Sequence, residues 1–95
     1  MREKKNKIAY DLACGNNKQK GFIGVDITKV DTQADIQWDL MKFPWEFAKD
    51  NSVDEVFASH YLEHIPHGNG SSDPMFRIMD EIWRILKPNG LARFV

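Results

Sequence analysis

Three short, largely apolar runs follow one another within the first 39 residues, and each carries an aspartate at or near its end. They are residues 8–14 (IAYDLAC), 22–27 (FIGVDI) and 34–39 (ADIQWD), with Asp11, Asp26 and Asp39. Short apolar runs bounded by glycine and polar residues read as buried strands. Only residues 15–21 separate the first run from the second, and residues 28–33 the second from the third. A parallel connection ordinarily takes a dozen or more residues, usually a helix. Six or seven extended residues, at about 3.4 Å each, just span one short strand. If these strands are parallel, their crossovers must do without helices.

The rest of the chain supplies the usual partners of such strands. Residues 43–47 (FPWEF) read as a turn or short helix with Pro44 at its first position. Asp50-Asn51-Ser52 is a turn, residues 53–59 (VDEVFAS) a fourth strand, and residues 66–73 (PHGNGSSD) a flexible loop. A helix follows, with Asp73 as cap and Pro74 in its first turn. Met75, Ile78, Met79, Ile82, Ile85 and Leu86 form its apolar stripe. Arg84 and Lys87 suit its last turn, and Pro88-Asn89-Gly90 stops it. Residues 91–95 (LARFV) are a fifth strand. Strands with a helix before the last one predict a parallel α/β sheet.

Composition narrows the function. The chain has 95 residues, 42% of them hydrophobic and 28% charged, which is one small globular domain. Its longest apolar runs are too short to span a bilayer. The basic start, Met1 to Lys7, leads into no apolar signal region. The single cysteine, Cys14, excludes an internal disulfide framework and fits a reducing, cytoplasmic location. The net charge of −1 gives no general case for nucleic-acid binding. Residues 1–20 do hold six of the 13 Lys and Arg residues, read here as a solvated terminus. The domain division is therefore a basic tail, 1–7, and a folded unit, 8–95.

The chemistry lies in the acids. Gly15 directly follows the first strand, where a glycine lets backbone approach a ligand and permits positive φ. Asp26, closing the second strand, is placed to accept hydrogen bonds from ribose hydroxyls. Asp39 follows the third strand. Carboxyl ends of neighbouring strands are where open α/β sheets bind ligands. A rival pattern is His60-Tyr61-Leu62-Glu63-His64, an H-x-x-E-H zinc-hydrolase spacing. It requires a continuous helix, whereas a strand-like run leads into His60 and Pro66 follows closely. Cys14 reads as a small buried filler, and Trp38, Trp45 and Trp83 as core or pocket wall.

The segments DLACG (11–15), GVDI (24–27), WDL (38–40) with FPW (43–45), DNSVDEV (50–56), SHYLEH (59–64) and EIWRILKPNG (81–90) stand in a telling order. In that order the chain resembles the class I, Rossmann-like S-adenosylmethionine-dependent methyltransferases. The resemblance implies strand order 3-2-1-4-5. It implies that the backbone at Ala13, Cys14 and Gly15 lines the methionine part of S-adenosylmethionine, with Asp11 facing its ammonium. Asp26 would hold the ribose, Ile27 would pack on the adenine, and Asp39 with Leu40 would bracket the adenine amino edge. Ser59 and His60 would lie near the sulfonium, with His60 and His64 as candidate catalytic groups. An acidic pocket suits a ligand bearing a sulfonium and an ammonium.

The chain departs from the family in three ways. Gly15 stands where the family has two or three glycines, with Asn16 and Asn17 as stand-ins able to tolerate left-handed geometry. No helix fits between the first two strands. The family sheet also continues for two strands past the fifth, so the chain reads as a partial domain. Its exposed last strand is a candidate for self-association. The methyl acceptor is not legible. The alternative to an enzyme is a non-catalytic, methyltransferase-like binding module.

Overall fold

The computed structural model describes residues 7–59 and 74–95. Five strands form one sheet: β1 (Ala9–Leu12), β2 (Ile23–Asp26), β3 (Ile36–Gln37), β4 (Val53–Ala58) and β5 (Leu86–Phe94). Their order is β3-β2-β1-β4-β5, and every neighbouring pair is parallel. Helix α1 (Pro74–Ile85) precedes β5. This is a Rossmann-like α/β sheet, as the sequence predicts. The proposed cap Asp73 and the 66–73 loop lie outside the described residues.

Side chains alternate across a strand, and here the two faces are covered differently. Tyr10, Leu12, Val25, Val53, Val56 and Ala58 join Leu40, Trp45 and Ala48 and the buried residues of α1 (Ile78, Ile82, Ile85) in one core. That face has its helix. The opposite face carries Asp11, Gly24, Glu55 and Phe57, and it is reached by Phe22, whose ring meets Phe57 edge-on at 6.3 Å. Residues 13–22 cross this second face without a helix. Gly24 shows how closely they pass. A Cβ there would lie 2.7 Å from Cys14 Sγ and 2.9 Å from Lys18 Cδ. Glycine inside a strand marks such close approach.

Residues 43–47 form turns, the first of the two forms expected. Trp45 there is buried, donates its indole N–H to Leu40 O at 2.9 Å and stacks on Phe47. The helix stops at Ile85, before Pro88-Asn89-Gly90, because Asn51 and Ser52 donate backbone N–H groups to the carbonyls of Arg84 and Ile85 at 2.9 and 2.8 Å. Leu86 therefore opens β5 instead of completing the helical stripe. The register steps from Val53↔Leu86 to Glu55↔Leu91, so residues 87–90 bulge out opposite Asp54. Trp83 is 82% exposed and so outside the core, and it lines an open surface pocket with Asn51, Leu86 and Lys87.

The segment 45–50 is fastened to α1 by one side chain. Arg84 donates to Glu81 through Nε and Nη2, to Trp45 O through Nη2, and to Ala48 O and Asp50 Oδ1 through Nη1. Glu81 also accepts the Trp45 N–H at 2.6 Å. A planar guanidinium can serve several acceptors at once, as an ammonium cannot. At the sheet edge, β5 pairs only with β4 among the described residues. Leu91, Phe94 and Val95 are exposed there. Among the described residues no helix is long and apolar enough to cross a membrane.

Candidate functional site

The parallel register sets the acids side by side. Asp11 pairs with Gly24, and Asp26 with Gln37. Trp38 N donates to Asp26 O at 2.8 Å, which puts Asp39 just past the tip of β2. Leu12 pairs with Ala58, so Ser59 follows β4 beside the residue that follows β1. Asp11, Asp26, Asp39 and Ser59 thus occupy one end of the sheet, where the strands finish.

The chain turns sharply on leaving β1. Ala13 and Gly15 both adopt left-handed backbone, φ 56° and 53°. Glycine tolerates this freely, while alanine is strained by it. Asn16 and Asn17, the expected stand-ins, are not in that region. The strain falls on Ala13, whose N–H donates to Val25 O at 2.7 Å and so locks the turn over β2.

Asp11 lies beneath the resulting loop, 2% exposed. Its Oδ2 accepts the Gln19 N–H at 2.8 Å. Burial pushes its carboxyl above the ordinary value of 3.8, opposed by that N–H and by the nearby charge of Lys18. Asp26 is poised differently. Its Oδ2 accepts the Gly15 N–H at 2.9 Å and its Oδ1 accepts its neighbour's, Ile27 N, at 2.7 Å. A carboxylate offers about four acceptor positions, so one stays open on each oxygen. Two oxygens held in one plane, each with a free position, match a vicinal diol.

Cys14 is buried, and burial first, then the charges of Asp11 and Asp26, push its thiol up. It is a neutral filler, held between the two carboxylates. Ile27 stands 60% exposed at the tip of β2, an apolar surface beside Asp26. Asp39 accepts the Met41 N–H at 2.9 Å in a turn and remains exposed. Leu40 points into the core instead, so only its backbone faces outward, and its carbonyl is already engaged by Trp45. Ser59 is half-buried. His60, Glu63 and His64, and with them the H-x-x-E-H pattern, lie outside the described residues.

The sequence reading missed Lys18, Gln33 and Asp35. Asp35 accepts from Gly24 N at 2.8 Å and from Lys18 Nζ at 2.9 Å. Asp35 directly precedes β3, which is shorter than the 34–39 run predicts. The available signal was Gly24 itself, a glycine in a buried run, which calls for something to cross it.

A family model described as a methyltransferase domain matches residues 10–94. The chain belongs to that family. Neither the curated proteins nor the solved structures contain a match to it. Within this methyltransferase domain, the matched span begins inside β1 and ends at the last residue of β5, so it takes in every strand tip that carries an acid.

Proposed function

We propose that this methyltransferase domain binds S-adenosylmethionine across the tips of β1, β2 and β3 and serves methyl transfer from it. The carrying observation is the Asp26 carboxylate, oriented by Gly15 and Ile27 with one acceptor position left on each oxygen. That arrangement fits the two ribose hydroxyls. Exposed Ile27 offers the adjoining apolar face to the adenine, and Asp39 lies one strand further on. Asp11, buried and raised by that burial, favours a cationic neighbour such as the amino-acid ammonium.

When bound, S-adenosylmethionine supplies an activated methyl group with its own leaving group. The protein's part is to hold the cosubstrate and align it with an acceptor, and alignment can lower a barrier by several kcal/mol. The acceptor is a nucleophile still to be identified. The test is titration calorimetry of the folded chain with S-adenosylhomocysteine, the product form. Saturable binding at micromolar to sub-millimolar ligand supports the assignment, and no heat at millimolar ligand removes it.

A further inference from the structure

We propose that Gln33 and Asp35, in the second crossover, are positioning residues that hold the 13–21 loop in its ligand-ready shape, with Asp35–Lys18 as the fastening pair. The inference rests on the functional reading above and deepens it.

The start of the 13–21 loop is held by buried Cys14 and by the Ala13 and Cys14 N–H groups on Val25 O. Beyond it, Asn16, Asn17, Gln19, Lys20 and Gly21 are all exposed. A polar stretch without buried apolar contacts opens at little cost in free energy. The second crossover grips it at three points. Gln33 N donates to Gly15 O at 2.8 Å. Gln33 Oε1 accepts the Lys18 N–H at 2.9 Å. Asp35 Oδ2 accepts from Lys18 Nζ at 2.9 Å while also accepting Gly24 N from β2.

The gripped residues are those on which the site depends. The peptide that offers Gly15 O to Gln33 lies directly beyond the residue whose N–H orients Asp26. Lys18 is next to Gln19, whose N–H bonds Asp11. Among the described residues no crossover helix covers that face of the sheet, and side chains of one loop hold the next loop in its place. Asp35 touches none of the strand-tip acids. It acts through Lys18 and Gly24.

Amide hydrogen exchange of the ligand-free chain and calorimetry with S-adenosylhomocysteine test the inference together. Asp35→Asn keeps an acceptor for Gly24 N but loses the charged bond, and Lys18→Met removes only the ammonium. Both variants should exchange faster at Gln19 and Gly15 and bind about five-fold more weakly, the effect of one ordinary, partly exposed hydrogen bond lost. Their melting midpoints should stay within a few degrees of the parent, since a half-exposed pair adds little global stability. The double variant should bind no more weakly than the worse single one. Gln33→Ala should reproduce the exchange effect without involving the ion pair. Unchanged exchange and affinity in Asp35→Asn, with the parent chain binding normally, overturns the strap. Losses that add in the double variant overturn the pairing of Lys18 with Asp35. A parent chain that binds no S-adenosylhomocysteine overturns the functional reading, and the positioning role with it.

Discussion

The Gly15 N–H donates to Asp26 Oδ2 at 2.9 Å, and this bond joins the Ala13 N–H on Val25 O in tying the turn after β1 to the end of β2. It joins the residue best suited to left-handed backbone to the acid best suited to a diol. Asp26→Ala removes both the ribose acceptors and the anchor for Gly15. Affinity for S-adenosylhomocysteine should fall by about 1–3 kcal/mol, the cost of losing charged hydrogen bonds. Calorimetry on the folded variant checks this, and an unchanged dissociation constant takes Asp26 out of the site.

Asp11 should show opposed effects on stability and binding. Its carboxyl is raised by burial, so the folded state holds its proton more tightly than the unfolded chain. Its contribution is therefore favourable below about 3.8 and is lost as pH rises through the folded value. Once ionised, Asp11 is a buried charge that weakens the fold. Asp11→Asn keeps an acceptor for Gln19 N and removes the charge, so the melting midpoint should rise by about 2–5 °C. Ligand affinity should fall, and its increase with pH through the acid range should flatten. Thermal scans and binding titrations between pH 4 and 7, taken as about that window from the raised carboxyl, distinguish this from a purely structural aspartate.

Ala13 and Gly15 invite reciprocal substitutions. Gly15→Ala meets no atom within 4 Å yet is forced to φ 53°, so strain alone should cost about 1–2 kcal/mol. Ala13→Gly relieves the same strain while adding unfolded-state entropy. It should leave stability unchanged or raise it by up to about 1 kcal/mol. An ordinary Ala→Gly exchange, such as Ala9→Gly in β1, should lose about that much. Urea denaturation of the three variants measures the contrast.

Arg84 holds the 45–50 segment to α1 through three hydrogen bonds, to Trp45 O, Ala48 O and Asp50 Oδ1, and makes two more to Glu81 within the helix. Arg84→Met leaves Glu81 and the Trp45 and Ala48 carbonyls short of a partner. A loss of about 2–4 kcal/mol is expected. Arg84→Lys should recover less than half of it, because an ammonium cannot fork between these acceptors. Denaturation midpoints of the pair decide whether fork geometry or charge matters.

Acid should loosen the fold through Glu55 and Glu81. Lys7, at 2.7 Å, and Arg93, at 2.6 Å, hold the Glu55 carboxyl below its ordinary 4.5 against the opposing effect of burial. Burial pushes Glu81 up, but Arg84 and the Trp45 N–H outweigh it and hold it low as well. Both therefore stabilise the fold fully above about 4.5 and lose that effect as pH falls through their lowered values. Stability should drop steeply below about pH 4.5, and Glu55→Gln should make the drop shallower. Melting midpoints measured down the acid range check the slope.

The strands were legible because each is a local apolar run bounded by turn residues, the first three with an acid at or near the end; their order was legible only through the resemblance to the methyltransferase family. The helix was legible from the spacing of Ile78, Ile82 and Ile85. Its end was not, because Asn51 and Ser52, more than 30 residues away, accept that role from across the fold. The candidate acids Asp11 and Asp26 were readable from position alone. Their states were not: one is buried and proton-seeking, the other is oriented with open acceptor positions.

Sequence by itself determined the short apolar runs, the shortness of the first two crossovers and the glycine at residue 15, since these depend on neighbours along the chain. Tertiary structure decided which loop fills the helix-free face, which residue bears the left-handed strain, and that Lys18 meets Asp35. Those outcomes depend on contacts between segments that only folding brings together, where a carboxylate's burial and its hydrogen-bond partners are set by whatever crosses above it.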